Sequence, residues 1–526
     1  MKYDAIVVGG GISGLTAAAF LTKTGFKILL CEKENICGGL ISSFERDGFI
    51  YDGGIRAMEN SGVLFPMLKS LGINIEFVKN HISIGIENEV IRVNSEENVN
   101  EYQSLLSDLY PESSQEIKAI FREIRKIMHY MDVQYGIDNP IFLDFKQDYA
   151  YVARVILPWV INYALTAPKI SALNEPVVVF LKRYTPNQAL LDIITQHFFH
   201  DTPAFFALSY LKLYIDYHYP LGGTGKLIQQ LVSFVETHNG EIKTNSEVSS
   251  VDPYHKKIMD SKGNTYEYER LIWAADLKTL YRITNLENIT DRQLKQEIKT
   301  RQQELEDKTG NDSVYTLFLG LDLPNEYFSG IATEHFFYTP RRVGQTEAGE
   351  IPITANRETI EKWLEKFFAL TTYEISCPSM RDATLAPANK TGLIISVLFD
   401  YGLTKSIERS GWYEDFKASC ESHIIRTLNE SIFPGISTAI IHQFSSTPLT
   451  LEKHSGNFQG AITGWALNNK PIPAESRIPK IMNAVRTPIP GIFQAGQWTY
   501  SPSGLPISIL TGKIAADKVI KELSKH

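Results

Sequence analysis

The sequence is poor in cysteine: only Cys31, Cys37, Cys377 and Cys420 occur, which excludes a disulfide scaffold. Cys31 and Cys37 are spaced too widely for a Cys-x-x-Cys redox pair, and no histidine cluster joins them, so no metal site is expected. All four read as reduced thiols of a cytoplasmic chain. Basic blocks are missing too, and the net charge is −8, which argues against nucleic acid as a partner. Long apolar runs are also scarce. The longest, roughly 155–168, contains Pro158 and Asn162 and falls short of the ~20 residues that span a bilayer. No transmembrane segment is expected, while contact with a membrane surface stays open. Met1-Lys2-Tyr3-Asp4 runs directly into a strand, so no signal peptide is read there.

What is present is the composition of an ordinary globular protein, 43% apolar and 21% charged. Its 526 residues exceed what one core usually organises, so two domains or one large composite are expected. Ala5-Ile6-Val7-Val8 has the pattern of a buried parallel strand. Gly9-Gly10-Gly11-Ile12-Ser13-Gly14 follows, then an Ala- and Leu-rich helix over 15–24 and a second apolar run over 27–31 that ends at Glu32. This is the order of a dinucleotide-binding βαβ unit. Gly9 permits the tight turn, Gly11 lets a pyrophosphate approach, and Gly14 lets helix pack on strand. The helix N-terminus, with Ser13 in its first turn, offers free N–H groups to phosphate. Glu32, followed by Lys33, stands where a carboxylate accepts ribose hydroxyls, and an acid there disfavours a 2′-phosphate.

Two further glycine pairs follow, Gly38-Gly39-Leu40 and Gly53-Gly54-Ile55-Arg56. Such pairs allow close backbone approach to an extended ligand, and a simple nicotinamide site does not need them. From these residues the chain resembles the flavin amine oxidase and phytoene desaturase superfamily, and the resemblance implies FAD. It continues along the chain. Pro220-Leu221-Gly222-Gly223 leads a helix over 226–238. A strand is expected over 240–248, with Val248 at the adenine, and the 271–276 segment, containing Ala274, returns to the cofactor. Gly223-Thr224-Gly225-Lys226 is not a phosphate loop of the ATPase kind, because the first glycine is misplaced and Leu227 stands where Ser or Thr would bind Mg²⁺. Gly491 to Gln497, with Gly496, is similar to the last FAD strand. Gly504-Leu505-Pro506-Ile507 opens a helix to about 522, which in the family points its N-terminus at the flavin.

The Cys377–Pro387 segment and Gln459-Gly460-Ala461-Ile462-Thr463-Gly464 are similar to motifs of carotenoid desaturases, carotenoid isomerases and retinol saturases, and monoamine oxidases lack them. The resemblance implies an α/β fold: a discontinuous, Rossmann-like, GR2-type FAD-binding domain with a mixed α+β substrate domain. The expected division is 1–74, 215–289 and 486–526 for FAD, and 75–214 and 290–485 for substrate.

The substrate part is aromatic around Trp159 and Tyr163, then at Phe198-Phe199, Phe205-Phe206, Tyr210, Tyr214, Tyr217 and Tyr219. This suits an isoprenoid, retinoid, steroid or lipid-like substrate. Residues 282–310 read as a solvated helix, and 358–370 as an amphipathic lid or surface contact. Three residues are catalytic candidates. Arg56 should lie beside the flavin, where retinol saturase-like proteins tend to carry histidine. It stays protonated, so its role would be to polarise a carbonyl or balance charge. Glu59 is a proton donor if buried, unless a neighbouring base pairs with it, and Tyr500 a second donor, with Trp498 walling the pocket. The expected reaction makes or reduces a C=C bond, reduction being read because Arg56 suits an activating carbonyl. Redox-neutral isomerisation, amine oxidation and a non-catalytic lipid escort are the alternatives. With no second dinucleotide fingerprint, electrons are expected to pass to or from transient NAD(P)H, a quinone or ferredoxin.

Overall fold

A computed structural model describes residues 2–144 and 146–525. Met1, where the N-terminal reading begins, and His526, where the expected cofactor division ends, lie outside the described residues.

Two seven-stranded sheets organise the chain. In the first, Glu241–Lys243, Ile28–Cys31, Lys2–Val8 and Thr265–Trp273 lie side by side in that order, all parallel. Ile492–Gln494 adds a further parallel strand on Thr265–Trp273, while Lys257–Asp260 and Val248–Asp252 continue the sheet antiparallel. Ile28–Cys31 and the carboxyl-terminal ends of the strands Lys2–Val8 and Thr265–Trp273 are buried where helices cover the sheet. Ile12–Lys23 packs against the helix Gly225–Thr237 and closely against the C-terminal helix Leu505–Leu523, where a Cβ on Gly512 would fall 2.4 Å from the Ser13 carbonyl oxygen. Small side chains let these helices approach, and a branched residue there would push them apart.

The strand expected over 240–248 is two strands at opposite edges of this sheet. The chain leaves Glu241–Lys243 through Asn245, whose φ of 50° breaks the extended run, and Ser246 then bonds to the Glu32 carbonyl. Asparagine tolerates that left-handed conformation where most residues do not. Val248 therefore begins a new strand.

The second sheet runs Ile440–Ser446, Ser313–Leu321, Thr391–Phe399, Tyr373–Ser376, His335–Thr339, Ile82–Ile86, Glu89–Val93. Alternation divides its residues. Tyr315, Leu317, Leu319, Tyr373, Ile375, Phe336 and Tyr338 face a core closed by the helices Arg357–Leu370 and Tyr413–Glu430. Thr316, Phe318, Ser396, Glu374, His335 and Phe337 face the other way, into a cavity. The helix expected as a lid over 358–370 is thus a core helix: Ile360, Trp363, Leu364, Phe367 and Phe368 are buried against the sheet. Arg292–Glu306 is the charged surface helix expected within 282–310.

The apolar run near 155–168 belongs to a longer element than its prolines suggested. Tyr149–Ser171 is continuous for 23 residues, long and apolar enough to cross a membrane, and only 11% of its most apolar window is buried. A π-helical stretch, Val152–Ile156, runs directly into Leu157–Ser171, so Pro158 follows a wider turn that already departs from the regular α-helical bonding. Leu157, Ile161 and Leu165 are 60%, 67% and 68% exposed.

Candidate cofactor and active site

The carboxyl ends of four parallel strands meet on one crevice: Gly9 follows Val8, Glu32 follows Cys31, Ala274 follows Trp273 and Ala495 follows Gln494. Open α/β sheets bind ligands at this edge. A single cavity of about 1070 Å³ opens there.

Gly11, Ser13, Glu32, Lys33 and Val248 line one end of it, together with Gly9 and Ala274. Gly11 caps the Ile12–Lys23 helix without any side-chain hydrogen bond, and a Cβ added to it would meet nothing within 4 Å. The helix N-terminus therefore faces open space. The Ser13 hydroxyl is buried with no partner. Glu32 accepts from the Gly10 amide at 2.6 Å and the Glu34 amide at 2.9 Å, leaving lone pairs toward the cavity. Burial raises its pKa, although both amides oppose the shift. Lys33 is at the rim, its ammonium held by the Lys453 carbonyl at 2.6 Å and Glu34 at 3.3 Å. Gly14 does not line the cavity: its Cβ would fall 1.9 Å from the Gly9 carbonyl oxygen, so it serves helix-to-strand packing.

Gly38, Gly39, Leu40, Gly53, Gly54, Ile55 and Arg56 line the middle. Gly54 has a reason beyond the ligand approach expected of it. A Cβ there would lie 1.9 Å from the Leu40 carbonyl oxygen, so the glycine lets two chain segments cross. Asp52, two residues before it, is buried and accepts from Tyr219, Ser43 and both the amide and hydroxyl of Thr224. The Gly223-Thr224-Gly225 turn is therefore clamped onto a carboxylate rather than left free for phosphate.

Gly496, Gln497, Gly504, Leu505, Pro506 and Ile507 close the same cavity. The Leu505–Leu523 helix also begins without a side-chain cap or an acidic residue in its first turn. Two uncapped helix termini thus face one space, with the unpartnered hydroxyls of Ser13 and Ser503 beside them. Such orphaned donors suit an extended, phosphate-bearing ligand.

Of the catalytic candidates, Arg56 is buried and lines the cavity. Its Nη1 donates to the Asp52 carbonyl at 2.6 Å and Nη2 to Ser396 Oγ at 2.9 Å, while Nε has no partner. Burial lowers its pKa, opposed by Glu374 and Asp52. Glu59 forms no ion pair among the described residues; its Oε1 lies 3.8 Å from where a Cβ on Gly504 would sit. Burial, reinforced by Asp216, pushes its pKa up to about 7. Tyr500 is a correction: it does not line the cavity, and its hydroxyl donates to the Ser476 carbonyl at 2.7 Å, which removes it as a proton donor to substrate. Trp498 does line it.

The far end is walled by Phe198, Phe199, Phe206, Tyr210, Tyr217 and Phe337. Phe205 and Tyr214 are core, and Trp159 and Tyr163 stack on each other outside the cavity. Among these aromatics stand four polar residues that sequence reasoning missed: His197, His335, Glu374 and Ser396. Glu374 pairs with His335 at 2.9 Å. Burial alone would raise the Glu374 pKa; the His335 hydrogen bond and the charges of Arg56 and Arg381 outweigh it and hold it below the usual value. Alternation carried the missing signal, since Glu374 is the one charged residue of the strand Tyr373–Ser376 and sits opposite its core-facing neighbours.

Residues 7–71 match the family model of the NAD(P)-binding Rossmann-like domain. Along almost the whole length the chain is similar to the 1-hydroxycarotenoid 3,4-desaturase of Flavobacterium sp. (strain P99-3), at 21% identity over 98% of both chains. It is 22% identical to the chloroplastic prolycopene isomerase of Daucus carota, over 99% of this chain and 80% of that one. Among solved structures, cyclohexylamine oxidase from Brevibacterium oxydans matches over the full length of both chains, with a TM-score of 0.60 at 11% identity, a likeness of fold. The fold is mixed α/β, with a Rossmann-like unit whose strand ends open on the cavity. Along its length the chain is similar to proteins named as a carotenoid desaturase and a carotenoid isomerase, and it shares the fold of cyclohexylamine oxidase.

Proposed function

We propose that the chain is an FAD-dependent oxidoreductase that makes or reduces a C=C bond in a hydrophobic, isoprenoid-like substrate. The observation that carries this reading is the continuity of one cavity, from the Gly11–Glu32 cradle to the aromatic wall of Phe206, Tyr210 and Phe337. The relatives named for carotenoid desaturation and isomerisation support it. FAD, when bound, supplies hydride transfer at carbon. The protein does the rest. Gly9, Gly11 and Ser13 at the first helix terminus would hold the pyrophosphate, Glu32 the adenosine ribose, and Val248 the adenine. The 504–507 terminus would face the flavin ring, where its positive dipole end favours negative charge. Residues 1–74, 215–289 and 486–526 would form most of this cofactor part, with 75–214 and 290–485 supplying the substrate part.

Arg56 is a fixed positive charge for a substrate carbonyl or a developing anion. Glu59, with a pKa of about 7, holds or releases a proton at its carboxyl oxygen near neutral pH. Both suit reduction of an activated alkene, the direction read here. Electrons would come from NAD(P)H, a quinone or ferredoxin. The exposed apolar helix Tyr149–Ser171 would rest on a membrane surface, where such substrates dissolve.

The test mixes anaerobic, dithionite-reduced holoprotein with isoprenoid enones, polyenes and amines while flavin absorption is followed. Reoxidation by an enone or polyene is expected; no reoxidation by any of them counts against the reading. Redox-neutral isomerisation is the second reading, favoured by the similarity to prolycopene isomerase over 99% of this chain. An amine that reduces the oxidised flavin and leads to oxygen uptake would mark an amine oxidase instead.

A further inference from the structure

Segments far apart in sequence build a second polar centre at the aromatic end of the cavity. Arg381 Nε donates to Asn80 Oδ1 at 2.6 Å. That contact orients the Asn80 amide, whose Nδ2 faces His335 Nδ1 at 3.4 Å. An amide nitrogen donates, so Nδ1 of His335 accepts and the ring proton sits on Nε2. Nε2 then donates to Glu374 Oε1 at 2.9 Å. The chain runs one way, from guanidinium to carboxylate. It ends on Glu374 Oε2, which accepts no hydrogen bond from a described residue and belongs to a side chain that lines the cavity.

His197 lines the same end. Its ring packs on Phe198 at 3.9 Å and on Phe337 at 5.7 Å, and its nitrogens bond to no described residue. Phe337 is the cross-strand partner of Glu374, which ties the two polar groups to one patch of wall. Burial lowers the His197 pKa to about 4, so the ring is neutral and offers one N–H donor and one acceptor. Formal charge around this end cancels, Arg56 and Arg381 standing against Glu374 and Asp52.

We propose that Glu374 and His197 recognise one hydroxyl group on an otherwise apolar isoprenoid-like substrate, the hydroxyl donating to Glu374 Oε2 and accepting from the His197 N–H. This rests on the reading of the cavity as a hydrophobic-substrate site. A hydroxyl is the simple group that donates, accepts and carries no charge. An ammonium would bring a third cation into a balanced site, and a carboxylate would face Glu374, each adding an unpaired charge to a largely apolar cavity. A hydrocarbon would strip water from Glu374 Oε2 and His197 and replace none of its hydrogen bonds.

The test titrates the flavin-loaded full chain with geranylgeraniol, its methyl ether and the corresponding deoxy hydrocarbon in one detergent, read by calorimetry and by flavin absorption. The alcohol should bind at least about tenfold tighter than the ether or the hydrocarbon. Geranylgeranylamine and geranylgeranoic acid should bind more weakly than the alcohol. Glu374→Met and His197→Phe should each bring the alcohol within about threefold of the hydrocarbon, with hydrocarbon affinity equal or higher because no polar group is then stripped of water. His197→Phe keeps the aromatic packing, so it serves if Glu374→Met fails to fold. A purely structural role would lower all affinities together. Equal affinities in the unsubstituted protein, or a preference that survives the substitutions, overturn the hydroxyl site and leave the hydrophobic-substrate reading standing. Binding by none of the probes removes both.

Discussion

The Gly10 amide donates to the Glu32 carboxylate at 2.6 Å, which fastens the glycine loop after the first strand to the acid after the second. The loop that would receive phosphate and the acid that would receive ribose are therefore one rigid unit. Glu32→Gln keeps the shape and removes the charge. The expected loss of FAD affinity is roughly tenfold to a hundredfold, since hydrogen bonds to a charged group contribute about 1.5–3 kcal/mol. Fluorescence titration of the cofactor-free protein with FAD measures it.

Gly11 and Gly14 separate ligand approach from packing. An alanine at 11 would project into open space at an ordinary φ of −73°, so stability should stay within about 0.5 kcal/mol while FAD affinity falls at least about tenfold. An alanine at 14 would drive its Cβ to 1.9 Å from the Gly9 carbonyl oxygen. That overpacking should cost about 1–3 kcal/mol with or without cofactor. Thermal melts of both variants, loaded and empty, distinguish the two roles.

Glu59 gives a pH dependence of definite sign. Its pKa is about 7 in the folded protein against 4.5 ordinarily, so the folded state binds the proton more tightly. Stability contributed by this group is present below the ordinary glutamate range, falls as pH rises through that range to about 7, and is level above it. Glu59→Gln should remove this part of the slope and be relatively more stable at pH 8. Denaturant titrations of both proteins across this range provide the comparison.

The exposed helix Tyr149–Ser171 should carry membrane contact. Replacing Leu157, Ile161 and Leu165, each more than half exposed, with serine removes apolar area without opening a core. Sedimentation with phosphatidylcholine vesicles should fall by at least about tenfold, with the melting temperature little changed, because membrane binding scales with buried apolar area. Undiminished sedimentation would show that another surface makes the contact.

The N-terminal unit was legible because its signals are local: a β-branched run, a glycine turn, a helix and an acid within 32 residues. Cavity placement then gathered Gly11, Glu32, Gly53, Val248 and the 504–507 terminus, which share only a spatial neighbourhood. The polar end of the cavity was not legible. Asn80, His197, His335 and Glu374 come from separate segments, and strands such as His335–Thr339 read as plain core until alternation is tied to a particular sheet face. Asn245 shows the reverse failure, where one left-handed residue split an apparently continuous strand. Tyr500 failed for a third reason: proximity to the last strand placed it near the site, but its hydroxyl turns to Ser476.

The most direct test of carbon–carbon double-bond chemistry is the mass of the product. Reduced holoprotein is held anaerobically with an isoprenoid enone or polyene, and the extract is resolved by liquid chromatography and mass spectrometry. The expected result is a product heavier by two hydrogens, formed in proportion to the flavin oxidised. A substrate pool unchanged in both mass and isomer composition, with the flavin still reduced, would contradict it.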